Sequence, residues 1–421
     1  MKKNKFLNSI FFITFLSNFF TTTIQPKLNE LEAKKQATEN KLKELKTNIQ
    51  IRNIKIDELK EKLGMIFALP WAHNFWHDIM GTLNEQDFFN RIGTGIEKNR
   101  ELVEAVSKAK NISFGEFQTY SIQELENSVK NKPAFSEQGL FQIIIHPKAE
   151  VKAIQASPSF ENAVFQIASN FNCIEGAYNG IVNHLRDGVQ GEQASIGALP
   201  GTILRTYCVN PKELQLLFNL EGKEVNTYTQ TKKMLPGFRV KNLINPESWE
   251  HQNMTHRIKI GYHSDISVTH GQNFKKVIHD QKIDQVFTSA LYLNDIFRKN
   301  VVYNIDKPTA AMPFLWASYL GTIYGAHLYG RQKVVLTLMG CGAFANYLKW
   351  LIPVFEWVKQ YAVNNNMQVY VIVRGNQDQY NCDREDDLRN LDFKNKYKLE
   401  FGKDHFLTDD QIKELFEEAK I

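Results

Sequence analysis

From Gly139 onward, short apolar runs alternate with segments of helical pattern, and this alternation limits the possible folds more than any other feature of the chain. Phe141–Ile145, Val164–Ala168, Ile203–Tyr207, Val286–Ala290, Val334–Leu338 and Val369–Val373 read as strands. Ala311–Tyr329 and Asn346–Val363 read as helices between the later ones. Strands separated by helices predict an α/β domain whose mixed or parallel sheet is covered by helices. Sheets of that kind hold ligands where their strands end and loops begin, so the informative residues lie just beyond the apolar runs.

The segments ahead of this domain differ in kind. Lys2, Lys3 and Lys5 precede the mostly apolar run Phe6–Phe20, fifteen residues long. That is the pattern of a secretory signal, short for a membrane span. No small-x-small cleavage site follows, so a cleaved signal and a retained anchor both stand, against a buried cytoplasmic helix; export is the expectation shared by the first two. After Pro26 a heptad runs from Leu28 to Leu63, with Leu28, Lys35, Leu42, Ile49, Ile56 and Leu63 at one core position and Leu31, Thr38, Leu45, Arg52 and Leu59 at the other. Eight of these eleven positions are apolar, which fits a stalk or dimerisation helix, or one packed on its own domain or on a partner. Residues 65–135 read mainly as helices, one of them opened by Ser121 with Glu124 at capping-box spacing. The expected organisation is residues 1–25 as signal or anchor, 26–64 as coiled-coil-like helix, 65–135 as helical region, 136–380 as α/β domain and 381–421 as a tail with the short helix Leu407–Lys420.

Charge argues against a nucleic-acid partner. Residues 27–64 hold ten Lys or Arg against seven Asp or Glu, a balance of +3 out of the chain's +5. The remainder is near neutral, without the concentrated positive face that phosphate backbones need. Cys173, Cys208, Cys341 and Cys382 are far apart and read as reduced thiols. His73 and His77 share a helical face in an aromatic-rich stretch, but no glutamate follows His73 and no third ligand stands near. No metal and no cofactor is expected.

Two strand ends carry candidate chemistry. In the first, Val164–Ala168 stops at Ser169-Asn170-Phe171-Asn172, with Glu175 close behind. Asparagine amides can donate to and accept from ribose hydroxyls without bringing charge, and Phe171 offers an aromatic face. An asparagine-rich turn explains the same residues. In the second, Val334–Leu338 leads through Met339, Gly340, Cys341, Gly342, Ala343, Phe344 and Ala345 to Asn346 and a helix. Glycines let backbone N–H groups approach a diphosphate, and a helix start adds partial positive charge. A tight strand-to-helix turn explains these as well. Between them, Asp187 and Glu192 lie in a loop of glycines and small residues.

The series FQIASNFNCIE, VQGEQASIGALPGTILRTY, DQVFTSAL, LWASYLGTIYGA and VVLTLMGCGAFAN resembles the macrodomain superfamily, over roughly residues 136–375. More narrowly, it is similar to a divergent branch that includes bacterial effectors removing ADP-ribose from modified proteins. The resemblance implies a three-layer α/β/α mixed sheet that binds ADP-ribose or ADP-ribosylated protein. It also implies that Asn170 and Asn172 line the distal ribose and that Gly340, Cys341, Gly342, Ala343, Phe344 and Asn346 wrap the diphosphate and ribose. Gln190, Gly191 and Glu192 match the loop near the scissile bond. The glycine triplet many macrodomains carry after the asparagine loop is absent here, and Cys341 and Ala345 stand where glycine is common. Cleavage at the anomeric carbon or an ester passes through an oxocarbenium-like state and needs a carboxylate or polarised water. Glu175, Asp187 and Glu192 are the candidate carboxylates, with Asn172 beside them and Asp265 as a more remote one. Three functions fit: an ADP-ribosyl hydrolase, a non-catalytic reader, and a coiled-coil interaction protein with a degenerate domain.

Overall fold

The apolar runs assemble into one seven-stranded sheet in the computed structural model, which describes residues 29, 34–42, 77, 79–82, 88, 91, 95–146, 151–173, 197–217, 249–270, 280–292, 311–342, 344 and 346–374. The chain divides into two units, Met1–Pro70 and Trp71–Ile421. In the first, residues 34–42 are helical and exposed throughout, with Leu42 52% exposed, Thr38 Oγ1 donating to the Lys34 carbonyl at 2.8 Å and Lys35 paired with Glu39 at 4.0 Å. The expected signal or anchor, most of the heptad, His73, Cys382 and the Leu407–Lys420 helix lie outside the described residues. Among the described residues no helix is long and apolar enough to cross a membrane.

In the second unit the strands are β1 Phe114–Ser121, β2 Leu140–His146, β3 Val164–Ala168, β4 Lys259–Ser267, β5 Lys282–Thr288, β6 Lys333–Leu336 and β7 Gln368–Arg374. The helices are α1 Ile96–Lys110, α2 Ile122–Val129, α3 Val151–Ile154, α4 Leu199–Ile203, α5 Trp249–Arg257, α6 Met312–Leu328 and α7 Ile352–Asn364. Strand order is β1-β4-β5-β3-β6-β7-β2, with β5, β3, β6, β7 and β2 mutually parallel and β4 antiparallel to both its neighbours. The central strands are apolar at nearly every position because both faces are covered; Val164, Phe165 and Ile167 are fully buried.

Packing around β4 shows the two outer layers. A Cβ on Gly321 of α6 would collide with Ile260 Cγ2, and one on Gly325 would stand 2.8 Å from Tyr262 Cδ2. On the opposite face, a Cβ on Gly201 of α4 would meet His263 Cε1 at 3.1 Å and Ile266 Cδ1 at 2.8 Å. Ile260 and Tyr262 therefore face α6, while His263 and Ile266 face α4. Period-two alternation is broken between His263 and Ile266 by a bulge, at which Asp265 takes φ +55°. The sheet lies between two helical layers, as the fold expectation describes.

Differences in detail have local causes. The expected strand Ile203–Tyr207 is helical, α4 followed by a wider turn over Leu204–Cys208. Pro200 presets a helical start, and Leu199, Ile203 and Tyr207, four residues apart, all bury into one cluster with Phe114 and Val103. β1 lies in the region read as mainly helical, and together with α2 it precedes residue 136, so the sheet begins earlier in the chain than expected. Ser121 does form the capping box: its hydroxyl accepts from Glu124 N at 3.2 Å, and Glu124 Oε2 accepts from Ser121 N at 2.7 Å. β4 was hidden by its polar residues and its bulge.

Where β5 begins, a polar network closes one end of the sheet. The fully buried Asp284 accepts from Tyr262 Oη at 2.6 Å, Asp265 N at 2.8 Å, and Arg331 Nε and Nη2 at 2.8 and 3.1 Å. Burial pushes the Asp284 carboxyl above its ordinary value, against the pull of Arg331 and Tyr262. Tyr329 stacks on Tyr262 with ring centroids 4.0 Å apart.

Candidate functional site

At the opposite end, three adjacent parallel strands, β5, β3 and β6, stop together. β3 hands over to the asparagine loop through Ser169, whose N–H donates to the Thr288 carbonyl at the end of β5, 2.8 Å away. The loop closes as a turn, with Cys173 N donating to the Asn170 carbonyl at 3.1 Å. Cys173 adopts φ +59°, a left-handed conformation that costs a non-glycine residue about 1 kcal/mol or more. The flanking contacts hold it there: Leu216 N donates to the Phe171 carbonyl at 2.8 Å, and Cys173 Sγ lies 3.3 Å from the Leu214 carbonyl. Phe171 is 1% exposed and packs against Phe314 at 5.5 Å between centroids, so its ring anchors the loop in the core. Asn172 is buried and Asn170 half-buried, one on either side of that anchor.

The glycine loop after β6 is shaped from below. Tyr319 of α6 donates its hydroxyl to the Thr337 carbonyl at 2.6 Å and accepts from Met339 N at 3.0 Å. Burial holds that phenol well above its ordinary pKa, so it remains a donor. Gly340 has φ +72°, and a Cβ there would lie 2.5 Å from the Ala290 Cβ and 2.6 Å from Asn346 Nδ2. Only glycine meets both demands. Asn346 is fully buried inside the turn. Its Nδ2 donates to the carbonyls of Leu291, Gly340 and Phe344 at 2.8, 3.2 and 3.4 Å, and its N–H donates to the Gly340 carbonyl at 2.9 Å. Asn346 thus ties the glycine loop to the end of β5, while its Oδ1 is buried without a hydrogen-bond partner. The α-helix expected from Asn346 begins at Ile352, after a 3₁₀ turn over Leu348–Leu351. A helix terminus therefore does not follow the loop directly.

Of the expected site residues, the structure brings Asn170, Phe171, Asn172, Gly340, Cys341, Gly342, Phe344 and Asn346 to one end of the sheet. Cys341 is buried and Gly342 exposed. Glu175, Asp187, Gln190, Gly191, Glu192 and Ala343 lie outside the described residues. Asp265 belongs to the other end, where Arg331 Nη2 reaches it at 2.5 Å. Two residues not anticipated stand at this end: Ala290, against which Gly340 packs, and Tyr292, whose ring meets Phe344 edge-on at 5.4 Å. Ala290 follows directly on DQVFTS and Tyr292 stands two residues later, so both lie at a strand end like the other two loops. No group of three or more potential metal ligands occurs among the described residues.

Behind the asparagine loop, Arg205 is fully buried. Its guanidinium lies 3.7 Å over the Phe287 ring, and its Nε, Nη1 and Nη2 reach the Cys173 carbonyl at 3.3 Å, His263 Nδ1 at 3.1 Å and Thr202 Oγ1 at 3.4 Å. Arginine only donates, so His263 Nδ1 accepts and its Nε2 proton goes to the Phe114 carbonyl, 2.8 Å away. Burial, and then the neighbouring Arg205 charge, hold His263 well below its ordinary pKa and neutral.

No family model matches the chain, and no curated protein matches it in sequence. Among solved structures, the poly(ADP-ribose) glycohydrolase of Deinococcus radiodurans in complex with ADP-ribose is similar over 63% of this chain and 90% of that one, at 12% identity and a TM-score of 0.39. The poly(ADP-ribose) glycohydrolase of Thermomonospora curvata is similar over 67% and 92%, also at 12% identity and TM-score 0.39. The same enzyme bound to the inhibitor ADP-HPD is similar over 66% and 91%, at 12% identity and TM-score 0.38. The fold assignment itself rests on the strand order and the two helical layers.

Proposed function

We propose that the end of the sheet formed by β3, β5 and β6 binds ADP-ribose and that the chain hydrolyses ADP-ribosyl linkages on modified protein. One observation carries the binding half: Gly340, in a left-handed conformation with no room for a side chain, and the buried Asn346 fix the glycine loop, exposed at Gly342, at the same end of the sheet as the asparagine loop. Small residues there allow a diphosphate to approach backbone N–H groups, while neutral amides of Asn170 and Asn172 suit ribose hydroxyls. The Tyr292–Phe344 pair adds partly exposed aromatic surface at the same rim. The macrodomain resemblance of the five sequence segments supports the same ligand. Cleavage rests on Glu192 through that resemblance and on Asp187 as a second carboxylate of the same loop, with Asn172 orienting the ribose.

The test is titration of ADP-ribose into the full chain, followed by heat or thermal shift. A fragment beginning at residue 136 would remove β1, which pairs with β4 from Phe114 to Ser121, so it is the wrong object. Saturable binding below about 1 mM is the expected result, and silence up to that concentration removes the reading. Release of ADP-ribose from an ADP-ribosylated acceptor, reduced at least about tenfold in Asn172→Ala, separates an enzyme from a reader. Binding without release on several linkages would make the protein a reader.

A further inference from the structure

We propose that Arg205 is a positioning residue for the asparagine loop: it sets the place of Asn172 from beneath by fixing the Cys173 carbonyl. The guanidinium is a rigid planar fork, and here two strands fix its plane. Phe287 of β5 lies under it at 3.7 Å, His263 of β4 takes Nη1 at 3.1 Å, and Nε is left directed at the Cys173 carbonyl in the loop after β3, 3.3 Å away. That carbonyl belongs to the residue with φ +59°, the point where the loop most needs an external hold. Asn172 is its immediate neighbour in the chain, so a shift of the Cys173 peptide moves the Asn172 backbone with it. The neutral state of His263 keeps an acceptor, rather than a second cation, facing the guanidinium. Phe287 is itself followed by Thr288, whose carbonyl takes Ser169 N, so both ends of the loop are referred to the same strand.

This inference rests on the proposed ligand only for its effect on affinity; its effect on the loop does not. Arg205→Lys keeps the charge and removes the fork, while Tyr262→Phe weakens the opposite end of the sheet and serves as the stability control. In the full chain, Arg205→Lys is expected to lower ADP-ribose affinity about tenfold or more and to raise amide exchange across residues 169–173. Tyr262→Phe is expected to lower the melting temperature and do neither. Equal losses of affinity in the two variants, or wild-type affinity and exchange in Arg205→Lys, would overturn the assignment. If Arg205→Lys does not fold, Phe287→Leu removes only the ring under the guanidinium and must show the same pattern at smaller size; wild-type behaviour there overturns it equally. Should the wild-type chain not bind ADP-ribose, the ligand proposal falls, and unchanged exchange across 169–173 in Arg205→Lys or Phe287→Leu would still overturn this one.

Discussion

Where β5 begins, both oxygens of the buried Asp284 are occupied, by Tyr262, Asp265 N and two nitrogens of Arg331. Where β3, β5 and β6 end, the backbone is left-handed at Cys173 and Gly340, and the buried Asn346 Oδ1 has no partner. Both ends contain fully buried polar side chains; the Asp284 carboxyl has every oxygen paired, while the Asn346 amide has its oxygen unpaired. The first arrangement stabilises through complete pairing of a buried charge. The second holds loops in conformations the chain would not choose, and neighbouring tertiary contacts keep them there. Such places are where sites are expected to sit, with stability supplied elsewhere in the fold.

Breaking the closed end should give the largest effect on stability and little on binding. Arg331→Met leaves Asp284 buried without its cation and is expected to cost about 3–5 kcal/mol in chemical denaturation. Without Arg331 the folded-state pKa of Asp284 rises further above its unfolded value, so the carboxyl contributes most at low pH. Stability lost at about pH 8 should then be partly regained at about pH 5. A deficit equal at both pH values would mean that Asp284 is not the group exposed by the change.

Breaking the open end should reverse the balance. Gly340→Ala meets Ala290 and Asn346 as well as an unfavourable φ, and it is expected to weaken ADP-ribose binding by about tenfold or more. Its stability cost should be about 1–3 kcal/mol, below that of Arg331→Met. Wild-type affinity in Gly340→Ala would show that the glycine loop is a turn and nothing more.

The smallest effect concerns His263. Its folded-state pKa is depressed, so as pH falls below about 6.5 the unfolded chain takes up a proton that the folded one refuses. Its contribution is complete above that value and is lost on acidification, by at most about 1.4 kcal/mol per pH unit. His263→Gln keeps an acceptor for Arg205 and a donor for Phe114 without titrating. It should flatten the acid limb between about pH 7 and pH 5, and an unchanged slope would assign the acid loss to other groups.

Much of this is legible in the sequence. β3 falls on the residues read as a strand, and β2, β6, β7 and α6 differ only at their ends, because continuous apolar runs in a doubly covered sheet leave little ambiguity. The two strand-end loops were flagged from residue type alone, and the capping box at Ser121 from its spacing. Ile203–Tyr207 was misread because β-branched and aromatic residues suggest a strand, while burial of Leu199, Ile203 and Tyr207 on one side selects a helix. β1 and β4 carry too many polar residues to be read from hydrophobic pattern: β4 satisfies its own through partners far along the chain, Tyr262 with Asp284 and His263 with Arg205.

The sequence alone therefore determined the α/β class, the central strands and the kinds of group at their ends, since these follow from local periodicity and side-chain chemistry. The tertiary structure decided which of those groups are walls and which are surfaces. Phe171 and Asn346 turned inward to hold their loops, and Tyr292 joined Phe344 at the rim. Arg205 came under the asparagine loop from beyond a chain turn that no periodicity announces. Burial and partner are properties of contacts between distant segments, and they exist only once the sheet has brought β3, β5 and β6 side by side.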